Sequence, residues 1–416
     1  MDNSCIYLIG NILLYFIYLL YIQIKNKQFS CSSLVVSYYL FSACCSYFFY
    51  THPYTSQTFY YREISWQALL YFFILSSFII FPIYSFDKVD KDYVVYVKEK
   101  PVILYMKVAL FVQVVLIIGY LPAFFVMATS DMAIMRDDIG GGDISPNQYV
   151  AKIFAQIMFR YENFKLLSTI VAIYALFFIK KHRKLVLCFS FVSLIFPMYT
   201  SFLYLMRSQM FLQIIFVSSF LIMFKKQLSK KQKKVITIIG GSVVGLIAFV
   251  LITISQGRFD DLATWMYYKY SGETFVNFAG QLWSDAKGTT DGYAYFRWLI
   301  DDSDWVGLFE KWTYIENNVG VNSHIFYGSI GQLAIEFGWI VSALIHISIG
   351  LALSQLLKKK RYISLPNLII IGFAIYFALY GFYIFPFQGT AIIQVFIIII
   401  AYFYTRNIQI FNNVKL

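Results

Sequence analysis

Residues 325–357 read IFYGSIGQLAIEFGWIVSALIHISIGLALSQLL. Glu336 and His346 are the ionisable acid and base in this apolar run, beside the phenol of Tyr327. As a helix at about 1.5 Å per residue the run is about 50 Å long. A bilayer's hydrocarbon core is about 30 Å thick. Residues 336–357 are therefore expected to cross a membrane, and 325–335 to form an interfacial or re-entrant helix ahead of them.

The rest of the chain follows the same pattern. Its 416 residues are 59% hydrophobic and 13% charged, with a mean hydropathy of +0.64. Soluble domains carry about 25% charged residues. Apolar runs long enough to cross a bilayer fall at 4–24, 29–50, 64–84, 102–128, 164–179, 185–206, 208–224, 235–254, 336–357, 366–385 and 390–405. Backbone groups in lipid must be satisfied within the segment, so these spans are read as helices, and the Val, Ile, Phe and Tyr richness as lipid-facing surface rather than a sheet. The expected fold is all-α: one polytopic bundle over 1–416 with about eleven transmembrane helices. The 4–24 run has no basic residue before it and no small-residue cleavage site after it, so it reads as a span rather than a signal peptide. Cys5, Cys31, Cys44, Cys45 and Cys188 lie in apolar runs without metal-ligand company and read as small buried hydrophobes.

The net charge of +12 does not point to nucleic acid, because the basic residues sit in short clusters between spans. Loops after odd-numbered spans carry 22 of the 34 Lys and Arg, and the opposite side carries 10. The positive-inside rule puts the odd side in the cytoplasm, with the N-terminus outside and the C-terminus inside. Two sizeable segments then lie outside, 129–163 and 255–323. The second holds ten of the 22 acidic residues and five of the seven tryptophans. No GxxxxGK[ST] phosphate loop occurs, and Gly140-Gly141-Gly142 lacks the lysine and lies outside. Chemistry driven by cytosolic nucleotides is disfavoured.

The candidate site residues are external cations and the aromatics beside them. Arg207 sits in Tyr204-Leu205-Met206-Arg207-Ser208-Gln209, between two apolar spans. A guanidinium there is costly without a partner and suits phosphate or carboxylate, or else it snorkels to headgroups. Arg258 follows Gly257 at the exit of the eighth span, Arg297 lies between Phe296 and Trp298, and Arg136 lies in the first large external segment. For Arg258 and Arg297 the alternatives are a headgroup contact or an ion pair with the acidic segment. His324 stands where that segment re-enters the membrane, where an imidazole serves as a base near neutral pH or simply starts a helix. His346 reads as a satisfied core residue. Asp137-Asp138, Asp260-Asp261 and Asp301-Asp302 resemble metal ligands, but no His or third carboxylate follows at ligand spacing, so they read as solvated surface. Leu262, Trp265, Met266 and Tyr270 recur at helical spacing. Tyr293, Tyr295, Phe296, Trp298 and Trp305 form a denser set suited to sugar rings or to interfacial anchoring.

Taken in order, these pieces resemble a family. Leu205-Met206-Arg207-Ser208 in an external turn, a basic cytoplasmic loop, another span and Ser255-Gln256-Gly257-Arg258-Phe259 at its exit look like the Wzy-type oligosaccharide repeat-unit polymerases. Tyr268 to Phe278 (YKYSGETFVNF), then Asn322-Ser323-His324, Tyr327-Gly328 and Glu336-Phe337-Gly338, are similar as well. The residue-level likeness covers roughly the half after Phe191, and Ser208-Gln209 departs from the small residues that often follow the arginine. The resemblance implies a GT-C-like glycosyltransferase fold and a metal-independent transferase that needs no cofactor. Such enzymes act at the outer face of the bacterial inner membrane on undecaprenyl-pyrophosphate-linked oligosaccharide, alongside flippase and chain-length regulator proteins. It also implies roles: Arg207 and Arg258 on the pyrophosphate, Arg297 and Lys269 assisting, Tyr270, Trp298 and Arg136 on substrate, and His324 activating the acceptor hydroxyl, with Glu316 or a loop Asp as the alternative base. An O-antigen ligase would share the scaffold and the His-then-Glu-x-Gly ending; the Tyr-rich 267–278 piece favours the polymerase. A lipid-glycan transporter would need charged residues within its spans and internal repeats, and few charged residues lie in the spans, Lys107, Glu336 and His346 among them.

Overall fold

The computed structural model describes residues 2–58, 61, 63–88, 93–130, 144–228, 263–301, 305, 308–323, 325–358 and 362–415, with Met135, Ile139, Lys230, Lys234 and Gly245. Eight helical stretches are long and apolar enough to cross a membrane: Asn3–Asn26, Cys31–Thr51, Trp66–Asp87, Glu99–Gly119, Lys152–Phe178, Arg183–Leu203, Gly328–Leu357 and Gly389–Asn407. Shorter apolar helices at Ser208–Met223 and Leu365–Tyr380 fall where the seventh and tenth spans were expected. The expected eighth span, 235–254, lies outside the described residues. The chain is an all-α multi-pass membrane protein by the length and composition of its helices.

Several boundaries differ from the sequence reading, each for a local reason. The expected 102–128 span divides into α5 (Glu99–Gly119) and α6 (Leu121–Thr129), with Pro122 in the first turn of the second. Proline has no N–H to continue the helical ladder. The 129–163 segment is not all loop, because α7 (Lys152–Tyr161) runs through a 3-10 turn at Glu162–Phe164 into α8 (Lys165–Phe178). There is also a small sheet. β1 (Tyr93–Val97) pairs antiparallel with β2 (Gln409–Lys415), with Val94 opposite Val414 and Tyr96 opposite Ile410. The Tyr-Val-Val-Tyr-Val run is β-branched and aromatic, the composition that favours a pleated surface.

Two compact units emerge. The first comprises 1–87, 255–355 and 374–390, the second 88–254, 356–373 and 391–416. In the first, α1 (Asn3–Asn26), α2 (Cys31–Thr51), α4 (Trp66–Asp87, after the short α3 at Pro53–Thr58), α11 (Ala263–Asn277) and most of α14 (Gly328–Lys358) build an aromatic core. Fully buried Tyr15 packs on Tyr39, Phe73 and Phe275 and shares a 2.8 Å hydrogen bond with Ser76. Phe382 packs on Tyr39, Phe72 and Phe275. At one end, Ser32 donates to Asp87 from both N and Oγ. At the other, Ile64 N donates to Ser4 Oγ at 3.1 Å and Tyr50 to Asp2 at 3.1 Å.

In the second unit, Tyr105 and Tyr161 both meet Ser168 of α8, and Ser193 of α9 (Arg183–Leu203) donates to Gln113 of α5 at 2.9 Å. Glu99 and Lys181 stand 4.0 Å apart. Val95 N donates to Ile363 O at 2.8 Å and Lys98 N to Ile408 O at 2.9 Å, so the 93–98, 362–363 and 408–415 segments meet. Within each unit, segments that the charge count assigns to one side of the membrane touch one another.

Candidate functional site

Inside the first unit, α11 carries Lys269, Glu273, Asn277 and, through the π turn Phe278–Leu282, Gln281. Residues four apart share a helix face, so these polar groups form a ladder along a helix whose other positions, Phe275, Val276, Phe278 and Ala279, are fully buried. The helix lies hard against α2. A Cβ on Gly272 would stand 2.2 Å from Ser46 N and 2.4 Å from the carbonyl carbon of Cys45, so only glycine permits this approach. Trp265 anchors the outer end by donating from Nε1 to Thr55 Oγ1 at 2.7 Å.

The ladder sets two turns of α11 against the chain that enters α14. Tyr61 donates to Asn277 Oδ1 at 2.9 Å, and Asn277 Nδ2 donates to Phe326 O at 3.2 Å. Tyr327 donates to Asn322 O at 2.6 Å, with its hydroxyl 3.4 Å from Gln281 Oε1. Glu273 is 3% exposed, and desolvation pushes its carboxyl up to about 7 against the pull of Lys269 and a hydrogen bond from Asn277. Burial likewise raises the Tyr61 phenol, with the Glu273 charge adding to it. The Lys269 ammonium lies 5.4 Å from the centre of the Trp265 ring.

A second polar group adjoins through Tyr327, whose phenol is raised by burial and then by nearby Tyr295. Fully buried Glu336 accepts from Thr290 Oγ1 at 2.5 Å and from the backbone N of Tyr295 in α12 (Tyr293–Asp301). A carboxylate at a helix N-terminus satisfies donors that lack an intrahelical acceptor. Two residues on, Gly338 takes φ 80°, ψ 169° and interrupts α14. That conformation is essentially reserved to glycine. The long run 325–357 is thus two helices joined at Gly338, and Glu-x-Gly is a clamp followed by a hinge. Lys311 of α13 (Leu308–Val319) lies 3.9 Å from the centre of the Tyr295 ring and donates to Gln388 Oε1 at 2.9 Å.

Arg297 is engaged. Its guanidinium sits 4.3 Å from the Trp305 ring centre and 5.4 Å from that of Tyr293. Nη1 meets Glu310 Oε1 at 3.4 Å, and Nε lies 3.9 Å from Asp301. Trp305 donates to Ala294 O at 2.8 Å, and Tyr314 packs on both rings at 5.3 Å. Arg297 thereby ties α12 to α13.

The remaining sequence candidates are distributed as follows. Lys269 and half-buried Tyr270 share α11, and half-buried Trp298 adjoins exposed Leu299 and Ile300 in α12. Arg207 belongs to the second unit and opens α10 (Arg207–Met223), directly after a tight turn in which Leu205 takes φ 52° and Met206 N donates to Ser201 O at 2.8 Å. Arg258, His324 and Arg136 lie outside the described residues. His346 is a satisfied core residue, with Nδ1 2.7 Å from Ser342 O and Nε2 3.1 Å from Ser329 Oγ. Among the described residues no three His, Cys, Asp or Glu side chains converge as a metal site. Sequence reasoning passed over Glu273, Asn277, Gln281, Tyr61 and Lys311 as site residues. The available signal was polar residues repeating every four positions in 269–281. The chain matches no protein-family model, no curated protein and no solved structure.

Proposed function

We propose that this protein is a metal-independent glycosyltransferase that polymerises undecaprenyl-pyrophosphate-linked oligosaccharide repeat units at the outer face of a bacterial inner membrane. The observation that carries the reading is the polar ladder of α11. A membrane bundle that only anchored or scaffolded would have no use for a Lys269–Glu273–Asn277–Gln281 line in which Glu273 and Asn277 are buried and Asn277 and Gln281 meet Tyr61 and Tyr327. Buried ionisable groups in such proteins mark substrate paths. Lys269, Glu273 and Asn277 of the ladder fall within the YKYSGETFVNF stretch that resembles the polymerases, and the partly exposed rings of Tyr293, Trp305 and Tyr314 with Asp291, Asp301 and Glu310 suit a glycan. Cations stabilise the charge that develops on a pyrophosphate leaving group, the role assigned to Arg207 and Arg258, with Lys269 assisting. Holding two lipid-linked chains in register supplies much of the remaining acceleration. The contacts within each unit support the division of segments into two sides, and the charge count assigns the C-terminus to the cytoplasm and the N-terminus to the outside. Flippase and chain-length regulator proteins are the natural partners.

Purified protein in detergent, given a defined lipid-pyrophosphate-linked repeat unit, should convert it to a ladder of longer lipid-linked glycans with EDTA present. Intact substrate after prolonged incubation in lipid nanodiscs as well as detergent would rule the reading out. Transfer of single units to another lipid would indicate a ligase instead.

A further inference from the structure

We propose that the α12–α13 hairpin docks into the leaflet of the surrounding bilayer remote from Lys358, with Leu299, Ile300 and Phe309 entering the boundary between headgroups and acyl chains. The contact is independent of which reaction the protein performs. The depth of the hairpin follows from α14, which runs from Gly338 to Lys358 without a further break. At about 1.5 Å per residue that distance is about 30 Å, and a hydrocarbon core is about 30 Å thick. With Lys358, the first of the basic run Lys358-Lys359-Lys360-Arg361, at one membrane boundary, Gly338 stands at the other. Glu336, two residues before it, accepts from the backbone N of Tyr295 in the first turn of α12. Thus α12 leaves α14 at the level of the interface.

The lipid-facing surface of α14 continues into the hairpin. Beyond the hinge, Ile340 is 77% exposed and Leu344 58%, and on a membrane span such side chains meet acyl chains. Before the hinge, Phe337 stacks on Phe296 of α12 with ring centres 5.7 Å apart. Phe337 and Ile300 flank the same backbone: a Cβ on Gly292 would stand 3.3 Å from Phe337 Cε1 and 3.4 Å from Ile300 Cδ1. Leu299 and Ile300 at the end of α12, and Phe309 at the start of α13, are 56%, 52% and 53% exposed. Phe309 packs edge-on against Trp312, and Trp298 and Trp312 are half-buried, as suits a residue that prefers the headgroup level. Another face of each helix is polar: Arg297 and Asp301 on α12 and Glu310 on α13 pair there, beside the rings of Tyr293 and Tyr314. An apolar edge beside a charged face is the pattern of an element that lies in the interface plane. Docking removes the apolar edge from water and holds those rings at the depth of lipid headgroups. A second copy of the chain would cover the same side chains without requiring them to begin where the lipid-facing stripe of α14 ends.

The test uses the whole protein, a single copy per nanodisc of synthetic phospholipid, carrying nitroxide labels. Labels at Leu299→Cys, Ile300→Cys and Phe309→Cys, with Cys5, Cys44 and Cys188 changed to alanine, should collide with dissolved oxygen several-fold more often than with a water-soluble nickel chelate. A label at Asn317→Cys, on an exposed position of α13, should show the reverse. Nickel-chelate collisions that dominate at all these positions overturn the proposal, because the side chains then face water. Labels shielded from both reagents overturn it in favour of a protein cover. An apolar response that needs added polyprenyl pyrophosphate overturns it too, and assigns the surface to that lipid's tail. In the protein with all its own side chains, hydroxyl radicals generated in the water should modify Leu299, Ile300 and Phe309 several-fold more slowly than Tyr293 and Tyr314, once intrinsic reactivity is divided out. Equal rates would refute the docking even where a labelled variant fails to fold.

Discussion

At the scale of single residues, Gly272, Glu336 and Glu273 set the terms on which α11 and α12 sit in a lipid-loving bundle. Gly272 lets α11 touch the backbone of α2. Gly272→Ala should force the helices apart at a cost of about 1–3 kcal/mol, visible as a lower melting temperature in detergent; an unchanged melting temperature would refute the close approach. Glu336→Ala should leave Thr290 and the N-terminus of α12 without their acceptor, at about 1–3 kcal/mol for each orphaned donor. Hydrogen exchange across 293–301 should quicken in that variant and recover in Glu336→Gln, which keeps an oxygen there. Glu273 adds a pH dependence whose sign is fixed. Its folded value, about 7, lies above the ordinary 4.5, so the folded state holds this proton more tightly than the unfolded one. That contribution is complete below about pH 4.5 and lost as pH rises through 7, with a slope of at most about 1.4 kcal/mol per pH unit. Melting temperatures between pH 5 and 8 should fall in the wild type and fall less in Glu273→Gln.

At the scale of elements, α14 and α11 show how far local pattern reaches. Residues 325–357 were too long for one straight span, and the break at Gly338 divides them where the length argument required a division. The length of the run places the division before Glu336, two residues from Gly338, without a signal for that glycine in particular. Gly328, Gly331, Gly338 and Gly350 all lie in the run, and only the clamp made by Glu336 on α12 distinguishes one of them. Gly338→Ala should strain the φ 80° hinge by about 1–3 kcal/mol or straighten α14. Either outcome should accelerate hydrogen exchange in 289–301 and leave α1 unaffected; identical exchange would mean that the hinge does not position α12. The charge count assigns the 263–285 stretch to the external segment, and the spacing of Leu262, Trp265, Met266 and Tyr270 predicts a helix there. What composition does not convey is its burial: Trp265, Met266, Phe275 and Val276 are buried in it, and Asn277 and Gln281 meet the 326–327 chain.

At the scale of the molecule, the contacts of each unit keep odd-side segments with odd-side segments, through Ser32 with Asp87 and through the β1–β2 sheet. The positive-inside rule expects that shared side to be cytoplasmic: a fluorescent protein fused after Leu416 should then fold and fluoresce, and a periplasm-dependent alkaline phosphatase at the same place should be inactive; the reverse result would invert the topology. The sequence by itself determined that this is a helical, multi-pass protein and how its loops divide by charge. Those properties follow from desolvating the backbone in lipid and from the number of apolar residues needed to cross it. Only the tertiary structure decided that Arg297 is held by acids and aromatic rings, that Glu336 is a clamp, and that a helix from the supposed outer loop carries Glu273 into the core. Burial and partner choice are properties of chain segments brought together from far apart in sequence, such as Tyr61 with Asn277, and no local pattern of residues encodes which ones will meet.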